Sequence, residues 1–233
     1  MAKIVAPDVD APLKAAAVTD NDLITELPPA QRLALSYASH RSRPAHLALL
    51  ALDARLSQII RNRREPLLAQ MRLAWWRDML GKQAEDWPSG DAILDKLRHW
   101  RAPQDLAALS DGWEALLASD LSAHVISEFV DGRGRAFAAL ARELGVQGDD
   151  DARQAAQIWA LADLANNLSD GEERALVIDY GRSRPPAPRL SASLRPLAVL
   201  AGLGGQALKN GGTPLLNGPR SLFQALRIGF TGR

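Results

Sequence analysis

Asp163, Asn166 and Asp170 fall at i, i+3 and i+7 in this chain. On a helix that spacing makes one stripe of polar groups, able to present oxygens to a cation or a polar headgroup. The plainer reading is a solvated helix face, or N-caps around Asn167 and Asp170. Arg41, Arg43, Arg61, Arg63 and Arg64 form a second candidate group. Arginine suits phosphate because its planar fork donates two hydrogen bonds. Arginines at 61, 63 and 64 would equally suit a helix C-terminus. Trp75 and Trp76 are the third group. Such a pair on an amphipathic helix more often fills a core than a ligand site. The expectation is that Trp75 lies in the core and Trp76 at its edge. None of the four histidines has a partner at metal-ligand spacing, and no metal site is assigned to them. The absence of cysteine excludes disulfides, thiolate metal sites and cysteine nucleophiles. GRGRAF, at 132–137, has the glycines of a phosphate loop but no strand before it, and it lies within a helical pattern.

The elements that must position these groups read as helices. Apolar residues make up 47% of the 233, enough for one domain with a substantial core, and Ala and Leu dominate them. Helices are expected from Pro29, over 44–62, from Pro66 to Gly81, over about 121–144 and 150–169, and near 191–209 and 218–229. Shorter pieces are expected around 93–100 and 111–119 and up to Tyr180. Leu49, Leu52, Leu56 and Ile59 form one apolar stripe; Leu68, Met71 and Trp75 form another; Ile126, Phe129, Phe137 and Leu140 form a third. Residues 1–27 read as a flexible N-terminal arm, and 28–233 as a single helical domain. The fold class is all-α, an antiparallel helical bundle. A net charge of +1 argues against a nucleic-acid partner. No apolar run is long enough to span a bilayer, and the first residues lack the apolar core of a signal peptide. The expected location is cytoplasmic, with at most peripheral contact with the inner membrane.

Three segments, in order, resemble the squalene/phytoene synthase family. EPLLAQMRLAWWRDML, at 65–80, is similar to the family's EPxxAxxRLxWWRDxL, especially in its bacterial and complex I assembly-factor branches. YASHRSRPAHLALLALDARLSQII, at 37–60, resembles the stretch leading into the first aspartate motif. DLANNLSDGEERA, at 163–175, resembles the second motif, QLxNILRDxxED. The resemblance covers roughly 30–230. It implies the isoprenoid synthase type of bundle, and an activity that joins two prenyl diphosphates head to head.

That chemistry needs Mg²⁺ held by paired carboxylates on two facing helices, because the leaving diphosphate carries several negative charges. Aligned on the family, the first pair falls at Ser57 and Arg61, neither of them acidic, and Asp53 stands alone one turn earlier. At the second site Asn166 and Asp170 match, but the next acid is replaced by Arg174. The resemblance therefore implies a remnant ligand or diphosphate site at Arg41, Asp53, Ser57, Arg61, Asp163, Asn166 and Asp170, with no catalytic residue, metal or cofactor assigned. Three expectations follow from it. The helices at 44–62 and 150–169 face each other. Ser57 and Arg61 oppose Asn166 and Asp170. Arg174, or another arginine of the pocket, pairs with Asp170 in place of a metal. The function expected is a non-catalytic binding or assembly role toward an apolar, prenyl-like ligand or a protein partner. The alternative is an active Mg²⁺-dependent prenyl transferase.

Overall fold

A computed structural model describes residues 18–61 and 65–232. It is all-helical, with no strand among the described residues. In chain order the helices are α1 (Asp20–Glu26), α2 (Pro29–Leu35), α3 (Arg43–Arg61), α4 (Pro66–Gly81), α5 (Ala92–Leu97), α6 (Ala107–Ala115), α7 (Ala123–Glu143), α8 (Asp149–Asn167), α9 (Gly171–Arg182), α10 (Arg195–Lys209) and α11 (Gly218–Thr231). Local chemistry sets their ends. Pro66 opens α4 behind an extended Glu65, where a proline loses no helical hydrogen bond. Ser122 caps α7 by accepting from the Val125 amide, and Asp91 caps α5 by accepting from Ile93 and Leu94.

One expectation is corrected at the start of the chain. Part of the expected arm is α1, which begins in a capping box: Thr19 and Asp22 bond reciprocally to each other's backbone amides. Leu23 and Leu27 are buried and tie this end to the core. The first 17 residues of that expected arm lie outside the described residues.

The centre of the fold is the antiparallel hairpin of α7 and α8. A five-residue link joins them, with Gly145 and Gly148 at φ +66° and +87°. α6 packs on the other side of α7, α10 packs on α8, and α3 lies against α6 and α7. At the α6–α7 crossing two glycines let the backbones meet. A Cβ on Gly132 would run into the Ala108 carbonyl oxygen and lie 2.9 Å from the Gly112 Cα. That close approach explains the glycine-rich GRGRAF segment, which is ordinary helix.

His46 is buried near the start of α3, with Nδ1 2.9 Å from the Ser42 carbonyl oxygen and Nε2 without a partner among the described residues. Burial pulls its pKa down from 6.5 to about 4, against a smaller opposing effect of the Ser42 bond. The unfolded chain binds this proton near pH 6.5 and the folded chain only near 4. The neutral ring's contribution is therefore complete above about pH 6.5 and is lost as pH falls from there toward 4. Between pH 7.5 and 5 the native protein should lose about 2 kcal/mol more unfolding free energy than a His46→Gln variant, measured by urea titration. Parallel curves for the two proteins would refute this.

Candidate functional site

α3 and α8 approach each other across the bundle, and the link between them is a buried arginine. Asp53 on α3 is wholly buried, and Arg133 on α7 is 1% exposed. The Arg133 guanidinium forks onto Asp53, with Nε 2.9 Å from Oδ1 and Nη2 2.7 Å from Oδ2. Its Nη1 donates to Asp163 Oδ2 on α8 at 2.9 Å. Trp113 Nε1 donates to Asp53 Oδ1 at 3.0 Å, and Gln31 Nε2 reaches Oδ2 at 3.4 Å. Asp53 thus accepts four hydrogen bonds, the full capacity of a carboxylate. Aromatic rings close the rest of the shell: the guanidinium carbon lies 4.2 Å from the Trp159 ring centre and 5.0 Å from that of Trp113. Burial alone would pull the Arg133 pKa down. The charges of Asp53 and Asp163 outweigh it, and the pKa is raised, so the side chain stays cationic.

Beside this cluster lies a cavity of about 340 Å³, at the small end of the ligand-pocket range. Ser57, Ile60 and Arg61 of α3 line one wall, and Asp163, Leu164 and Asn167 of α8 line the opposite one. Leu116, Leu121, Val125 and Phe129 supply apolar surface, and Asp120 and Glu173 add acids.

The sequence-predicted residues divide accordingly. Asp53, Ser57, Arg61 and Asp163 come together at the cluster and cavity. Asn166 and Asp170 do not. α8 ends at Asn167, so the expected stripe stops there, and its neighbour Asn167 lines the cavity in place of Asn166, which is exposed. Asp170 is the N-cap of α9, its Oδ1 accepting from the Glu172 and Glu173 amides at 2.9 Å. It forms no ion pair with a described residue; Arg174 instead donates to the Leu168 carbonyl oxygen at 2.6 Å. Arg41 is exposed in the turn before α3, at the far end of that helix from Arg61. At 1.5 Å per residue the 19 residues of α3 span about 28 Å. The expected basic cluster is therefore split, and its Arg63 and Arg64 lie outside the described residues.

The tryptophans reverse their expected roles. Trp76 is 4% exposed and Trp75 is 40% exposed. Leu68 and Met71, the rest of the expected core stripe, are exposed with Trp75. Arg77 bonds to Glu114 at 2.8 Å and to Asp111 at 3.4 Å, joining α4 to α6.

Arg133 is the residue of the cluster that sequence reasoning missed. The signal was present, since Phe129, Arg133 and Phe137 are each four apart on the apolar face of α7. A lone cation in such a stripe is either exposed at an edge or buried with acids, and two acids are here.

At the positions where the resemblance puts metal ligands, the donors do not fit Mg²⁺. Asp53 has no lone pair left, Asp163 already faces a guanidinium, and Ser57 and Arg61 supply no carboxylate. Comparison with protein-family models, with curated proteins and with solved structures finds no match.

Proposed function

We propose that this chain is a non-catalytic relative of the squalene/phytoene synthases, with a bundle of the isoprenoid synthase type, that binds a lipid-like molecule in the α3–α8 cavity. One observation carries the reading. A fixed internal cation, Arg133, bridges carboxylates from the two facing helices, where the resembled chemistry requires metal ions and a departing diphosphate. Charge that would have to respond to the reaction is neutralised permanently. Preorganised cations aimed at the leaving group are what such catalysis depends on. The cavity's own charge also disfavours a diphosphate: Asp120 and Glu173 outnumber Arg61, and Asp163 is paired. An apolar chain with a neutral or cationic head suits Leu116, Leu121, Val125, Phe129 and Leu164 better.

The test separates binding from turnover. Labelled farnesyl and geranylgeranyl diphosphates with Mg²⁺ should give no coupled thirty- or forty-carbon product. Farnesol should change the tryptophan fluorescence, since Trp113 lines the cavity. Leu121→Arg, which puts a charge into the apolar wall, should weaken that response at least about tenfold. A metal-dependent coupled product would overturn the reading and establish the transferase. Farnesol binding that Leu121→Arg leaves unchanged would remove the cavity from it.

A further inference from the structure

The last helix is mounted with its most apolar side facing outward. Ala225 and Ile228 are buried against α10, where Ile228 occupies the space a Cβ on Gly202 would fill. Gln224 Nε2 donates to the Gly202 carbonyl oxygen at 2.9 Å and fixes the helix in that rotation. Leu222, Phe223, Leu226 and Phe230 project from the opposite side, with Phe223 and Phe230 73% and 78% exposed. Phe230 meets Tyr37 edge-on at 6.0 Å, which steadies the ring without covering it. At 100° per residue these four fall within about a quarter to a third of a turn, and Arg220 and Arg227 lie together along one edge of them.

The segment that carries this stripe is strongly one-signed in charge. Residues 181–233 contain seven arginines, one lysine and no acid. The first 180 residues hold the remaining 20 basic residues against all 27 acids. Four of these cations, Arg182, Arg184, Lys209 and Arg227, line one hollow of about 330 Å³ between the end of α9, α10 and α11, and no carboxylate among the described residues lines it. The acid nearest in sequence is Asp179, 3.9 Å from Arg182 in an exposed pair.

We infer that α11 and the hollow beside it form a docking face for an anionic lipid bilayer. The four apolar side chains enter the headgroup–acyl boundary, and the hollow takes phosphate headgroups. An outward apolar stripe bordered along one edge by arginines, on a helix without acids, is the pattern of an interfacial helix. Charge complementarity selects an anionic membrane over a neutral one. The 14 residues of α11 lie along the surface; no helix among the described residues is long and apolar enough to cross.

The experiment is vesicle co-sedimentation with the full chain, using phosphatidylcholine alone and phosphatidylcholine with one third phosphatidylglycerol. Binding is expected to the anionic vesicles and to weaken as salt rises. Each arginine near such a surface contributes about fivefold, so Arg220→Glu with Arg227→Glu should weaken binding roughly twentyfold or more. Phe223→Ser with Phe230→Ser should weaken it at least about tenfold. Both pairs are at the surface, and unchanged circular dichroism and melting curves would show that the fold is kept. No binding to anionic vesicles, equal binding to both kinds, or full binding by the Phe double variant would overturn the inference. A dimer abolished by the Phe double variant, with no vesicle binding, would overturn it and give the face to a second copy of the chain.

Discussion

Arg133→Met should destabilise the fold by about 3–5 kcal/mol, because it removes one partner of a buried ion pair and strands the other. Asp53 would keep the Trp113 and Gln31 hydrogen bonds but lose the fork of two charge-assisted ones. Asp163 should be affected much less, since it borders the cavity, where water can reach it. The side chains around Arg133, among them Trp159, Phe129 and Trp113, are apolar enough to accept methionine. The double variant Asp53→Leu/Arg133→Met should therefore recover most of the loss, as replacing a whole buried pair with apolar groups often does. Urea unfolding of the two variants decides it. If Arg133→Met alone costs under about 1 kcal/mol, water reaches the cluster and the closed shell described above is wrong. If the double variant is no better than the single, the loss comes from packing and not from stranded charge.

Trp76→Ala should cost about 3–5 kcal/mol, the usual range for deleting a buried large aromatic. Trp75→Ala should cost about 1 kcal/mol or less, since a surface residue gives up little on truncation. The two rings meet edge-on at 5.1 Å, so part of the Trp75 effect is lost support for Trp76. Chemical denaturation of both variants distinguishes the two roles, and equal losses would contradict the burial difference.

Helix positions were readable to within a residue or two over α3, α4, α7 and α8, because prolines, caps and apolar spacing agree there. Which face α4 buries was not readable. Leu68, Met71 and Trp75 make one stripe, while Ala69, Leu73, Trp76 and Leu80 make another at equally good spacing. Periodicity cannot choose between two apolar faces; packing against α6 chooses the second. The candidate site was half legible. Asp53 and Asp163 stand on helices that the sequence places correctly, but their partner comes from a third helix, and no local pattern encodes that distance in space. Of the two readings of Asp170, the N-cap holds and the ligand stripe does not, because the stripe runs through a helix break. Its own sequence marks the break: an aspartate followed by Gly171, Glu172 and Glu173 reads as an N-cap with acids in the first turn.

The ion cluster also constrains when the protein can fold during synthesis. Arg133 lies 80 residues after Asp53, and Asp163 a further 30 on. At translation rates of about 5–20 residues per second, Asp53 would wait roughly 4–16 s for its guanidinium to be made. Throughout that interval the inner face of α3 carries a charge that needs water, so α1–α4 cannot settle into their final packing. α7 and α8 are the neighbours that can pair as soon as both are synthesised, with the arginine already between them. Final burial of Asp53 on α3 therefore waits on that hairpin, which supplies its guanidinium.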